Sequence, residues 1–146
     1  MVRVRTSAIV AWLAGSVFLA SCATSGTVRA PAEDANERPG MTVRETLTRG
    51  IALLDASKCA TFAVNFLSPI KLALIKDLDA YRKQRACSPT DRGNVDEVVL
   101  ALRLALGAEP VVQGVKATID LSGIGIRISK FELVKYIDGR WYFNEL

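Results

Sequence analysis

Histidine is absent from all 146 residues. Its absence excludes Ser-His-Asp and Cys-His nucleophile pairs, His-based metal sites and the commonest general base. No other catalytic or cofactor motif stands in its place, so the expectation is a non-enzymatic protein that needs no cofactor. Asp77 and Asp79 fall on different sides of a helical stretch, and Asp96 with Glu97 suit a first helical turn, where negative charge complements the dipole. No metal site is expected from either pair. Beyond the N-terminus no apolar run is long enough for a transmembrane helix. Cations and anions are interspersed, and without a basic stripe nucleic acid is not an expected partner.

What the chain does have begins at its N-terminus. Arg3 and Arg5 precede an apolar run over residues 8–20 that closes on small residues, the pattern of a secretory signal. At the end of that run Leu19-Ala20-Ser21-Cys22 resembles the lipobox of bacterial lipoproteins. The resemblance implies removal of residues 1–21, a diacylglycerol on the Cys22 sulfur and acylation of the new amino group. At about 0.8 kcal/mol per buried CH₂, two or three acyl chains hold a protein on a membrane that it does not span. Ala23 stands where lipoproteins kept in an inner membrane often carry Asp, which implies a cell-envelope protein on the outer membrane, facing the periplasm. The residues alone also allow two other readings, conventional cleavage beside an ordinary Cys22 or retention of the apolar run as an anchor.

Without residues 1–21 the formal charge falls to +2, seventeen Lys and Arg against fifteen Asp and Glu, so much of the basicity belongs to the signal. Residues 23–40 hold one Val among small, charged, Pro and Gly residues, too little apolar area to offset the entropy of ordering. They read as a tether with an r.m.s. span of roughly 20–25 Å and an extended limit of about 60 Å. Residues 41–146 are the size of one domain with a single core.

Within that domain Thr42 and Glu45 have capping-box spacing, and Val43, Leu47, Ile51 and Leu54 line one face of a helix running to about residue 56. Ser57 is read as the cap of a second helix carrying Phe62, Val64 and Phe66. Ser68 and Pro69 start a third, with Leu74, Leu78 and Tyr81 on one stripe and Arg82, Lys83 and Arg85 at its end. Asn94 and Glu97 repeat the capping signature before a fourth helix that Gly107 and Pro110 close.

From Val111 onward the period is two. A two-residue turn at Ser122-Gly123 sets Leu121, Ile119 and Ala117 opposite Ile124, Ile126 and Ile128. A second at Asp138-Gly139 sets Tyr136 opposite Trp141 and Val134 opposite Phe143. Both hairpins then point their apolar sets to one face, so the spacing predicts a three-stranded antiparallel meander. That register leaves Val112, Phe131, Leu133 and Ile137 together on the opposite face, a candidate interface for a homodimer or another envelope protein. It also puts Glu132 opposite Glu145 with Lys130 nearby on the core side, paired carboxylates of a kind found at functional sites. A bulge near Ser129 and Lys130 would reverse both assignments, turning Phe131 and Leu133 inward.

Helices followed by a meander ending in Lys-Tyr-Ile-Asp-Gly-Arg-Trp-Tyr-Phe, residues 135–143, resemble the small exported members of the nuclear transport factor 2-like superfamily. The resemblance implies an α+β fold in which N-terminal helices pack on the C-terminal meander as a cone. Catalytic members can use an Asp base with a Tyr donor, which draws attention to Asp120, Tyr136 and Tyr142. Tyr136, Trp141 and Glu132 are the candidate lining of a pocket between helices and sheet, the alternative to a plain interaction domain. Cys59 and Cys87 remain as the only two thiols after lipidation, a disulfide or two buried thiols. If the second and third helices form a simple hairpin, their unequal lengths offset the two cysteines by about 10 Å, beyond bridging reach, and a third helix ending nearer Tyr81 removes the offset.

Overall fold

The computed structural model describes residues 34–146, so the signal, the lipobox with Cys22 and most of the tether lie outside the described residues. Asp34 opens a single 3-10 turn, Ala35–Glu37, by accepting the Asn36 N–H. The chain then enters the core early: Pro39 and Gly40 are buried. Residues 34–40, expected in the tether, therefore belong to the domain. The cause is polar. The Gly40 N–H donates to the Thr46 hydroxyl at 2.9 Å, the Gly40 carbonyl accepts the Trp141 N–H at 3.0 Å, and Arg49 and Arg140 both donate to the Pro39 carbonyl. A Cβ on Gly40 would stand 2.2 Å from that of Glu45, so only glycine fits.

Helix α1, Val43–Asp55, has the expected capping box, with Thr42 Oγ1 accepting from Glu45 N–H and the Glu45 carboxylate reaching back to Met41 N–H. Its end corrects the role of Ser57, which is not a cap for the next helix. Ser57 sits at φ 58° and its N–H and that of Lys58 return to the carbonyls of Leu54 and Leu53, closing α1 in a Schellman motif. Helix α2, Cys59–Asn65, follows without a side-chain cap.

The expected third helix is two. Helix α3, Pro69–Ala73, is capped by Ser68, and α4, Leu78–Gln84, by Asp77, whose carboxylate accepts the Ala80 N–H at 2.8 Å. The apolar stripe is broken with it, since Leu74 ends α3 largely exposed. After a 3-10 turn, Pro89–Asp91, helix α5 runs over Arg92–Gly107.

The sheet has four antiparallel strands in sequence order: β1 Val111–Gln113, β2 Lys116–Asp120, β3 Lys130–Lys135 and β4 Trp141–Phe143. The fold is α+β as expected, but the first expected strand is itself a hairpin that turns at Gly114 and Val115. Residues 124–128 are not a strand. Glycines 123 and 125 hold positive φ and interrupt the pleat, so Leu121 N–H donates to the Ser129 carbonyl across a long loop and β2 pairs with residues 130–134. At the other end Asp138-Gly139 lies in a turn, but the loop has three residues. Tyr136 N–H donates to Arg140 and Gly139 N–H to Tyr136, with Gly139 at φ 79°.

One added loop residue flips a strand's faces. Leu133, not Val134, stands opposite Phe143, and Ile119 stands opposite Phe131. Phe131 and Leu133 are 7% and 1% exposed, inside a single core with Leu47, Phe62, Phe66, Leu102, Ile119 and Phe143. Phe143 centres its aromatic part, edge-on to both Phe62 and Phe131 at 5.8 and 5.5 Å. A parallel bridge from Leu67 to Phe143, with hydrogen bonds to Phe66 and Ser68, joins the α2–α3 link to the free edge of β4.

Leu133→Glu is the substitution that separates the two registers. Buried beside Phe143, a carboxylate there should cost several kcal/mol and unfold the domain in urea well below the wild-type midpoint. A midpoint shifted by less than about 1 kcal/mol equivalent would place Leu133 on the solvent side.

Candidate functional site

A cleft of about 610 Å³ opens where α2, α5 and the start of β3 converge. Leu54, Phe62, Val95, Val98, Ile128 and Phe131 line it, together with Cys59 and Ala63 of α2. Polar side chains stand only where it meets solvent: Gln84 and Arg85 at the end of α4, Asn94 at the start of α5, and Lys130 and Glu145 on the sheet side. The volume falls within the range of about 300–1,000 Å³ typical of ligand pockets.

One covalent bond joins the two sides of the cleft that α2 and the end of α4 supply. Cys59 and Cys87 are joined as a disulfide with Cα atoms 5.2 Å apart, and Cys59 N–H points at the Cys87 sulfur. The break between α3 and α4 removes the offset that a continuous helix would impose, so the chain returns from Gln84 directly over the α2 N-terminus.

The opposite lip is pinned by Arg127. Its backbone N–H and its guanidinium both bond Glu97, the Nε contact being 2.6 Å, and Nη2 also reaches Asn94 at 3.0 Å. Hydrogen bonds from Arg127 hold the Glu97 carboxyl below the usual glutamate range. Asn94 and Glu97 therefore clamp the 121–129 loop to α5, whereas their spacing reads as a helix cap. A helix face presenting Asn and Glu three residues apart is the sequence signal for either role.

The expected site residues are dispersed. Trp141 is buried in the core, with the Lys135 ammonium 5.9 Å from its ring centre. Tyr136 faces away from the core, taking the Ile70 N–H at 3.2 Å and lying edge-on to Tyr142 at 5.4 Å. Glu132 points to solvent and pairs with Lys130 at 2.6 Å, while Glu145 pairs with Lys71. None of Tyr136, Trp141 and Glu132 lines the cleft, and the two glutamates form no carboxylate pair. The one-residue shift at Gly139 is the reason, as it is for the candidate interface. Phe131 and Leu133 are core, which leaves Val112 and Ile137 as exposed residues on separate elements. The apolar patch expected to seat a homodimer is not there.

Tyr142 and Asp120 are both held in local hydrogen bonds. Burial and a 2.6 Å hydrogen bond to Asp138 push the Tyr142 phenol up to about 12. Asp120 accepts the Ser122 N–H at 2.7 Å, which lowers its pKa and gives it a turn-closing role. Among the described residues no three His, Cys, Asp or Glu side chains stand close enough together to hold a metal ion, and no helix is long and apolar enough to cross a membrane. Compared with known proteins, the chain matches no protein-family model, no curated protein and no solved structure.

The clamp makes a pH prediction. Because the Glu97 pKa is depressed in the folded protein, its contribution is complete above the ordinary value of 4.5 and is lost as pH falls through the lowered one. Amide exchange of Arg127, corrected for its intrinsic rate, should accelerate as pH drops below about 4.5. Glu97→Gln should show the faster exchange at neutral pH too. Exchange that is unchanged by this substitution would deny the clamp its role.

Proposed function

We propose that this chain is a bacterial envelope lipoprotein whose domain serves as a non-enzymatic binding module. Leu19-Ala20-Ser21-Cys22, directly after an apolar run with two arginines before it, is the observation that carries the reading. In it residues 1–21 direct export, Cys22 carries the lipid and residues 23–33 lead to the domain. Those eleven residues extend at most about 40 Å, so the domain works closer to the headgroups than a tether reaching residue 40 would allow. Ala23 favours the outer membrane, on its periplasmic side, by the same resemblance. The β3–Asp138-Gly139–β4 hairpin with Trp141 and the helices before it support membership of the nuclear transport factor 2-like cones.

The alternative within the same fold is a small-molecule or enzymatic site, and the cleft beneath Arg85 favours the small-molecule half of it. Its apolar walls desolvate a ligand and carry no paired acid and base. Binding is therefore the function we assign to it.

Metabolic labelling with a fatty acid tests the anchor. Cys22→Ser should abolish incorporation and leave a precursor that retains residues 1–21. Labelling that survives the substitution, or a normally processed product, would overturn the lipoprotein reading.

A further inference from the structure

We propose that the cleft holds one long hydrocarbon chain with an anionic head group, a ligand of the long-chain fatty acid class. The inference deepens the binding-module reading and rests on the cleft alone, so loss of the Cys22 anchor assignment would leave it standing. Leu54, Phe62, Val95, Val98, Ile128 and Phe131 offer side chains without a hydrogen-bonding atom. A ligand group seated among them must be hydrocarbon, because a polar atom there would lose its water without gaining a partner. Size limits the occupant further. A methylene takes about the volume of a water molecule in the liquid, about 30 Å³, so 610 Å³ admits one chain of up to about twenty carbons and not the two of a membrane phospholipid.

The rim supplies the charge. Arg85 is exposed, stacks over the Tyr81 ring at 5.3 Å and has no carboxylate partner among the described residues. A guanidinium held over an aromatic ring by a cation–π contact spends no hydrogen-bond donor on it, and its fork of donors can bind a carboxylate through two parallel hydrogen bonds. Lys130 adds a second cation, already shared with Glu132 at 2.6 Å. The one glutamate on the rim, Glu145, is paired with Lys71. Arg85 thus stands at the mouth of an apolar cleft as a cation with no carboxylate partner among the described residues, and a chain lying along α2 would bring its head to it.

Full-length protein in phospholipid nanodiscs, exposed to a palmitate analogue with a diazirine on its chain and irradiated, tests the assignment. The label should map to peptides carrying Val95, Val98 and Phe131, at no more than one per protein, and excess palmitate should suppress it. Val98→Trp, which fills the cleft, should reduce labelling at least tenfold. Arg85→Gln removes only a rim charge and leaves the core intact; it should raise the half-saturating concentration about five- to tenfold while leaving competition by hexadecanol unchanged. Label confined to peptides outside the cleft, or undiminished in a folded Val98→Trp protein, would overturn the site. An unchanged half-saturation in Arg85→Gln would overturn the anionic head group, and this test holds even if Val98→Trp fails to fold.

Discussion

The bond between Cys59 and Cys87 is the constraint on which α4 and the side of the cleft next to it depend. Between Pro69 and Gln84 no residue is fully buried; α3 and α4 contribute half-buried side chains such as Leu72, Leu78 and Tyr81. Burial of that extent does little against the conformational entropy of ordering so many residues. The disulfide closes a loop of 28 residues, which in the chain-entropy model contributes about 3–4 kcal/mol. It acts where packing is thinnest. Gln84 and Arg85 stand on the cleft wall because Cys87, just beyond them, is fastened to α2.

Disulfides of this kind persist where thiols are oxidised, outside the cytosol, which accords with the export proposed above. The rest of the fold is held differently. Thr46, wholly buried, joins α1 to the N-terminal segment and to the Trp141 carbonyl, and the Phe62–Phe143–Phe131 contacts join the helices to the sheet. Each of these is satisfied without the disulfide. The molecule therefore divides into a core of α1, α2, α5 and the sheet, stabilised by burial, with α3 fastened to the sheet edge by hydrogen bonds, and an arm, α4, retained by a covalent staple.

Local chemistry was legible in the sequence, and register was not. Thr42 and Glu45 marked α1 because a capping box is read within four residues. Pro69 behind Ser68 and the Asp138-Gly139 turn were visible for the same reason. Loop length at Gly139 was not, because Asp-Gly suits hairpin loops of two or of three residues, and the single extra residue exchanged Val134 for Leu133 in the core. Ile124, Ile126 and Ile128 alternate as a strand would, yet the glycines between and before them take positive φ, which alternation does not reveal. The cleft was missed by the same route, since its lining draws Phe131 from a strand assigned to the wrong face and Arg85 from a helix read as continuous. Asp77 was the available sign of that break, an N-cap side chain in the middle of an apparent helix.

Hydrogen exchange of the oxidised and the reduced, alkylated protein tests the division between core and staple most directly. On this account, reduction strips protection from the amides of α4 and the residues leading to Cys87, while α1, α5 and the sheet keep theirs. Protection of α4 that survives reduction, or protection lost equally everywhere, would contradict it.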